Sequence, residues 1–397
     1  MSSHQSTTTA DVSEMVTGGV QELWNPRYWL KNPAFDLMFV TGGAFFTLLV
    51  AALAFSEPTF MPYILWIWII AFEGSHFWAT FSRTYIDKKY RSENSKVLFG
   101  SLVFFAFPGL AVLADSLQSD VSYMTLYGFF IFVWSLYHNA KQHYGFLSIY
   151  TGKAKVPEAL KAKMVHLLFW GVGVAQVYFL FNFKSQLVFG LPSVSEMGGS
   201  LGFLLGTVPM LISLALFIKL VFLAKEAVGI VGGKALIGLY YVATCLIFYS
   251  TMFYFIAPKD LIFQNLTGAE TLMLIAVMNS LFHNIQYHAI VWYYGNKRFN
   301  EQSAENKGYG VARFVNYKLA NYMGFSLLMG LVFGFIVWNV GDWPAPTGSW
   351  HGVQSHSWAY ILFFGIIGHH FYLDQKIWRP SKSKELRGYL NLEKGHR

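Results

Sequence analysis

The chain has 397 residues, of which 54% are hydrophobic, 19% aromatic and only 13% charged, with a formal net charge of +8. A charged fraction about half that of an ordinary soluble domain excludes a soluble fold of this size, which would need more polar surface. The single cysteine, Cys245, excludes an intramolecular disulfide framework and any multi-thiolate metal or iron–sulfur site.

In chain order, residues 1–34 are polar and rich in Ser and Thr. They have no basic start leading into an apolar core, so they read as a retained tail and not as a cleaved signal peptide. Trp24, Tyr28 and Trp29 predict that this tail ends in an interfacial segment. Apolar runs of about 20 residues, long enough to cross about 30 Å of hydrocarbon, then recur between short polar breaks. The expected spans are 36–55, 60–81, 97–114, 122–143, 164–183, 200–224, 235–257, 270–294, 319–340 and 356–378. No loop is long enough for a separate soluble domain. The fold class expected is therefore all-α: a polytopic membrane helical bundle of about ten transmembrane helices over residues 35–380, followed by a basic carboxy-terminal tail at 381–397.

Basic residues set the expected orientation, because Lys and Arg in short loops hold those loops on the cytoplasmic side. The termini and the loops after even-numbered spans carry 27 of the 29 basic residues, and only Lys184 and Lys259 lie elsewhere. Both termini are expected in the cytoplasm. The opposite loops carry acids and turn formers, such as Asp115, Asp120, Asp260 and Asp342-Trp343-Pro344-Ala345-Pro346. The positive charge thus reflects topology against anionic headgroups, and no nucleic-acid partner is needed to explain it.

Seven of the twelve histidines fall at the ends of even-numbered spans: His76, His138 with His143, His283 with His288, and the doublet His369-His370. All are expected in the cytoplasmic third of the membrane. A lone imidazole near a helix end commonly caps a carbonyl, but seven at one depth point to a metal site, since polar groups inside a bilayer are costly and mark function. His4 and His396 lie in the tails, His351 and His356 in a far-side loop, and His166 begins span five as a reserve candidate.

Spacing refines the expectation. His370 and Asp374 are four apart and share a helix face, so together they can grip one ion. Residues five apart differ by about 140° on a regular helix, so His138/His143 and His283/His288 each need a π-bulge to converge, or else serve different ions. Seven imidazoles and a carboxylate also exceed the coordination of one ion. Two metals are expected, with His76, His138, His143, His283, His288, His369, His370 and Asp374 as ligands. Glu73, three residues before His76, repeats the Glu-x-x-His arrangement of di-iron bundles and is held in second rank. Imidazole suits iron, zinc, copper and nickel, whereas calcium and magnesium want oxygen donors. Iron is the metal expected, ahead of zinc or haem.

His138-x4-His143, His283-x4-His288 and the His369-His370 doublet resemble the histidine boxes of the integral-membrane di-iron desaturases, hydroxylases and related monooxygenases. The likeness covers short motifs only. The doublet lacks the histidine that those enzymes place two or three residues earlier, where Ile366 and Ile367 stand, and ten spans exceed their usual four to six. The Pro-His-Gly signature of membrane carotenoid-cleaving oxygenases is absent. The resemblance implies two irons, molecular oxygen, a lipid-soluble substrate and a cytoplasmic electron donor of the ferredoxin or cytochrome type. A haem electron-transfer protein, or a transporter or metal carrier using the same histidines, is the alternative reading. The two pentads also share aromatic-His-Asn-x3-His, in Tyr137–His143 and Phe282–His288. Nearby aromatics (Phe77, Trp78, Tyr144, Phe146, Trp292, Tyr293, Phe371, Tyr372 and Trp378) are candidates to line a tunnel for an acyl or isoprenoid chain.

Overall fold

The computed structural model describes residues 22–117, 122–182, 198–256, 268–300, 308–340 and 356–392, all helix, turn or loop without a strand among them. Residues 1–21, with His4, and His351, His396, Lys184, Lys259, Asp120, Asp260 and Asp342 to Pro346 lie outside the described residues.

Among the described residues the expected spans fall on helical segments, the form in which a lone apolar segment satisfies its own backbone groups. We label the segments α1 (Pro33–Ser56), α2 (Pro58–Thr84) and α3 (Ser95–Ser116). They are followed by α4 (Tyr123–Lys153), α5 (Glu158–Asn182), α6 (Gly199–Val231), α7 (Leu236–Ser250), α8 (Gly268–Asn300), α9 (Leu319–Trp338), α10 (Ser357–Ile377) and the short α11 (Lys384–Tyr389). Six helical segments among the described residues are long and apolar enough to cross a membrane: α1, α2, α3, the first 22 residues of α5, α6 continued into α7, and α9. Gly232, at φ 73°, breaks the fifth of these into the two packed helices α6 and α7. An L side chain is strained at that angle. α4, α8 and α10 are not among the six, and the sequence says why: they carry His138, Lys141, His143, His283, His288, His369, His370 and Asp374.

The exterior is apolar. Phe99, Phe203, Phe222 and Phe335 are all more than 60% exposed, as expected of a surface that faces lipid. The interior is correspondingly polar for a helical protein, with His76, His138, His143, His283, Asn284, Gln286, His370 and Asp374 all buried. Trp24 is exposed, but Trp29 is buried, its indole N–H donating to the Leu23 carbonyl at 2.6 Å. The segment before α1 is therefore packed against the body by this tryptophan.

Close helix contacts rest on small residues, which let backbones approach where lipid gives no hydrophobic drive for association. A Cβ on Gly330 of α9 would sit 1.8 Å from the Ile70 carbonyl oxygen, and one on Gly365 of α10 would sit 2.3 Å from the Phe105 ring. The partner stretch of α2, Trp68–Gly74, is a π-helical turn. Its carbonyls are reused: Ser75 Oγ donates towards Ala71 O (2.6 Å) and Phe72 O (3.1 Å). The sequence reading placed π-turns as one option at the pentads of α4 and α8. They occur instead in α1, α2 and after α7, while α4 and α8 run as regular helices.

At one end of the bundle the last turns of α2, α8 and α10 meet α11. The Arg298 guanidinium pairs with Asp87 at 2.8 Å and also with Glu385, Lys297 Nζ donates to Tyr389 O at 3.0 Å, and Arg83 Nη2 donates to Ile377 O at 3.1 Å. The histidine-bearing parts of these helices lie just inside this charged end.

Candidate metal centre

Four helices bring four histidines together. His76 of α2, His138 of α4, His283 of α8 and His370 of α10 each present a ring nitrogen within 4.8 Å of the other three, and all are buried. His76 Nε2 and His370 Nε2 stand 2.6 Å apart. Ring centroids are 4.3 Å apart for His76–His370, 4.7 Å for His138–His283, 4.8 Å for His76–His283 and 5.2 Å for His138–His370.

Asp374 stands beside this group, its Oδ2 at 3.6 Å from His370 Nε2 and 3.7 Å from His138 Nε2. One helical turn separates Asp374 from His370, so both face the same place, as their spacing requires. The other carboxylate oxygen is fixed: Thr80 Oγ1 donates to Asp374 Oδ1 at 2.8 Å and the Tyr287 hydroxyl donates to it at 2.6 Å. Thr80 Oγ1 also lies 2.8 Å from His370 Nδ1, and the Tyr287 ring stacks on His76 at 4.4 Å. Thr80 and Tyr287 thus orient both a carboxylate and an imidazole, the work that outer partners do around metal ligands. Sequence reasoning missed both. Thr80 lies four residues after His76 and Tyr287 four after His283, and that spacing was the available signal.

The donor set fits a metal ion. His138 Nε2 and both ring nitrogens of His283 are buried without a hydrogen-bond partner, as are His76 Nδ1 and, outside the group, His143 Nε2; a bound ion would satisfy the donors that converge. Metal–imidazole bonds of about 2.1 Å put opposed ligands of one ion about 4.2 Å apart, close to the spread of this group. Four buried histidines this close can bind a metal ion; which metal is a matter of proposal.

The other three expected ligands are not in the group. Five residues of regular helix send His143 to the far side of α4, where Nδ1 lies 2.7 Å from the Tyr241 hydroxyl and 3.8 Å from Cys245 Sγ. His288 likewise leaves His283, its Nε2 at 2.9 Å from Ser75 Oγ and its Nδ1 at 2.7 Å from the Tyr322 hydroxyl. The doublet on α10 splits because successive residues point about 100° apart. His369 Nε2 meets the Tyr85 hydroxyl at 2.9 Å. Each of the three has a tyrosine partner. Glu73 faces α8, accepting from Asn284 Nδ2 at 2.7 Å. His166 contacts its own helix at Ala162 O, and His356 stacks against Trp358.

Two cavities adjoin the group. An apolar one of about 280 Å³ is lined by Phe77, Trp78, Phe81, Phe105, Phe333 and both His369 and His370. A larger cleft of about 810 Å³ is lined on one part by His138, Tyr287 and Asp374 and on another by basic residues. The candidate tunnel aromatics divide accordingly: Phe77 and Trp78 border the first, whereas Tyr144, Phe146 and Trp378 border the second. Trp292 instead carries the Lys31 ammonium 4.4 Å from its ring centroid.

Comparison of the chain with protein-family models, with curated proteins and with solved structures finds no match in any of the three. The reading of the site therefore rests on its own geometry and chemistry.

Proposed function

We propose that the chain is a membrane-bound, oxygen-dependent oxidoreductase whose four-histidine group holds one iron ion and acts on a lipid-soluble substrate. The observation that carries the reading is the convergence of four buried imidazoles from four helices, with ring nitrogens of His138 and His283 left for a ligand. One ion replaces the pair expected from seven imidazoles, because His143, His288 and His369 are engaged elsewhere. Iron is preferred over zinc because four imidazoles with a carboxylate alongside exceed the three protein ligands of catalytic zinc sites. Haem has less support, since an axial pair needs two histidines with a macrocycle between them, not four rings in mutual contact. A transport pathway would need polar groups at other depths, and the cluster is compact.

His76, His138, His283 and His370 would hold the ion, which when bound supplies oxygen chemistry that side chains lack. Thr80 and Tyr287 fix Asp374 at the edge of the site, where its carboxylate can accept and return a proton. Phe77 and Phe371, packed on His370 and His138 at 5.0 and 4.6 Å, exclude water. Hydroxylation or desaturation consumes one oxygen molecule, two electrons and two protons beyond the substrate, which calls for the expected cytoplasmic donor. Oxidative cleavage needs none.

The test is metal analysis and oxygen uptake of the purified protein. About one iron per chain, with oxygen uptake that requires it, is expected. A Soret band, or full metal retention after His138→Ala and His283→Ala, overturns the reading.

A further inference from the structure

We infer that the 810 Å³ cleft beside the histidine group binds an amphiphile with an anionic headgroup, a carboxylate or a phosphate. The inference rests on the oxidoreductase reading only for what the ligand is bound to do, not for its being bound. The cleft runs between α4, α5, the end of α10 and α11, and five of its lining residues are cationic: Lys141, Lys161, Arg379, Lys382 and Arg387. Against them the lining has two carboxylates. Glu158 pairs with Lys161 at 3.5 Å, and Asp374 is engaged by Thr80 and Tyr287. Arg387 is held by the carbonyls of Pro380 and Ser381. Lys141, Arg379 and Lys382 are left without a carboxylate among the described residues. Lys141 rests on aromatic faces, 4.7 Å from Tyr144 and 4.6 Å from Phe169, and the Arg379 guanidinium, just past α10, donates to the Gln375 carbonyl of that helix.

Three cations converging on a concave space bind an anion through charge-assisted hydrogen bonds. The same space has apolar walls in Phe146, Ile149, Val165, Ile290, Trp378 and Leu390. A small hydrophilic anion would leave these walls unused, and a neutral lipid would leave the cations unused. A volume within the range of small-molecule pockets also favours a discrete ligand over the flat face that a protein partner would cover. The lining joins cations and apolar residues to His138 and Asp374, so an occupant reaches the histidine group.

The experiment measures binding of radiolabelled palmitate, hexadecyl phosphate and hexadecanol to the full chain, freed of metal by chelation, in phosphatidylcholine nanodiscs. Omitting metal separates this inference from the oxidoreductase reading, which can fail while the cleft still binds. Saturable one-to-one binding of both anionic probes is expected, with hexadecanol at least about tenfold weaker. Lys382→Gln, on an exposed side chain, and Lys141→Gln are each expected to weaken the anionic probes about tenfold while leaving hexadecanol unchanged. Repeating the measurement with phosphatidylglycerol in the discs identifies the source. Competition assigns the cleft to bilayer headgroups, and no competition assigns it to a free amphiphile. Equal affinity for hexadecanol, wild-type affinity in both variants, or binding of an acidic protein but neither anionic probe overturns the inference.

Discussion

The two pentads, on α4 and α8, contain two kinds of histidine five residues apart, and the difference between them defines the site. In both, the first imidazole turns inward to the cluster, and the second turns away to a tyrosine hydroxyl: His138 against His143 with Tyr241, and His283 against His288 with Tyr322. The asparagine that follows each first histidine also behaves alike, Asn139 donating to Asn279 O at 3.1 Å and Asn284 to Glu73 Oε2 at 2.7 Å. Residue type therefore does not separate ligand from anchor. What separates them is the direction each ring takes from its helix: the first of each pair reaches the four-histidine group, and the second reaches a tyrosine of another helix, although His143 keeps Nε2 unpartnered there. His283 has both nitrogens unpartnered, whereas both nitrogens of His288 are engaged.

The sharpest way to break this contrast is to exchange the two kinds. His138→Ala or His283→Ala is expected to abolish metal binding, measured by metal analysis, while His143→Ala and His288→Ala keep the full complement. A reversed pattern would dissolve the distinction. Next in size are the groups behind the cluster. Asp374→Asn and Tyr287→Phe are expected to weaken metal affinity by about 10- to 100-fold in competition with a chromophoric chelator, as outer-partner losses do elsewhere; unchanged affinity would reduce both to packing.

A smaller effect tests the framework. Gly330→Ala would push α9 off the π-turn of α2 at Ile70, and a thermal unfolding assay in detergent should register a destabilisation of about 1–3 kcal/mol, the usual cost of overpacking. The same change should loosen the group, since that turn sets the phase at which Ser75 meets His288 and His76 meets His370. Smallest is the loss of an anchor bond. Tyr322→Phe is expected to cost about 1 kcal/mol with no change in metal content. A loss of metal there would make His288 part of the centre after all.

Much of this molecule is legible before any contact is known. A chain with few charges and repeated apolar runs has to coil, since each helix satisfies its own backbone wherever lipid removes water. Local spacing also settles some of the chemistry: His370 and Asp374, one turn apart, face one point whatever surrounds them. The same arithmetic shows that regular pentads diverge, which the choice between a π-bulge and two ions left open. Neither the bulge nor its position can be read from composition. The π-turn of α2 lies where Gly330 admits the Ile70 carbonyl, a contact between residues 260 apart in sequence.

Burial on both sides of a helix is likewise beyond a one-dimensional reading. His143 and His369 look equal to His138 and His370 until Tyr241 from α7 and Tyr85, just past α2, each engage one of their ring nitrogens. Thr80 and Tyr287 matter only because α10 delivers Asp374 between them. The sequence by itself determined the helices, their polar stripes and the supply of imidazoles, because these depend on period and composition. The tertiary structure alone decided which four imidazoles meet, because helix phase separates the members of each pair but only packing sets which faces of α2, α4, α8 and α10 come together.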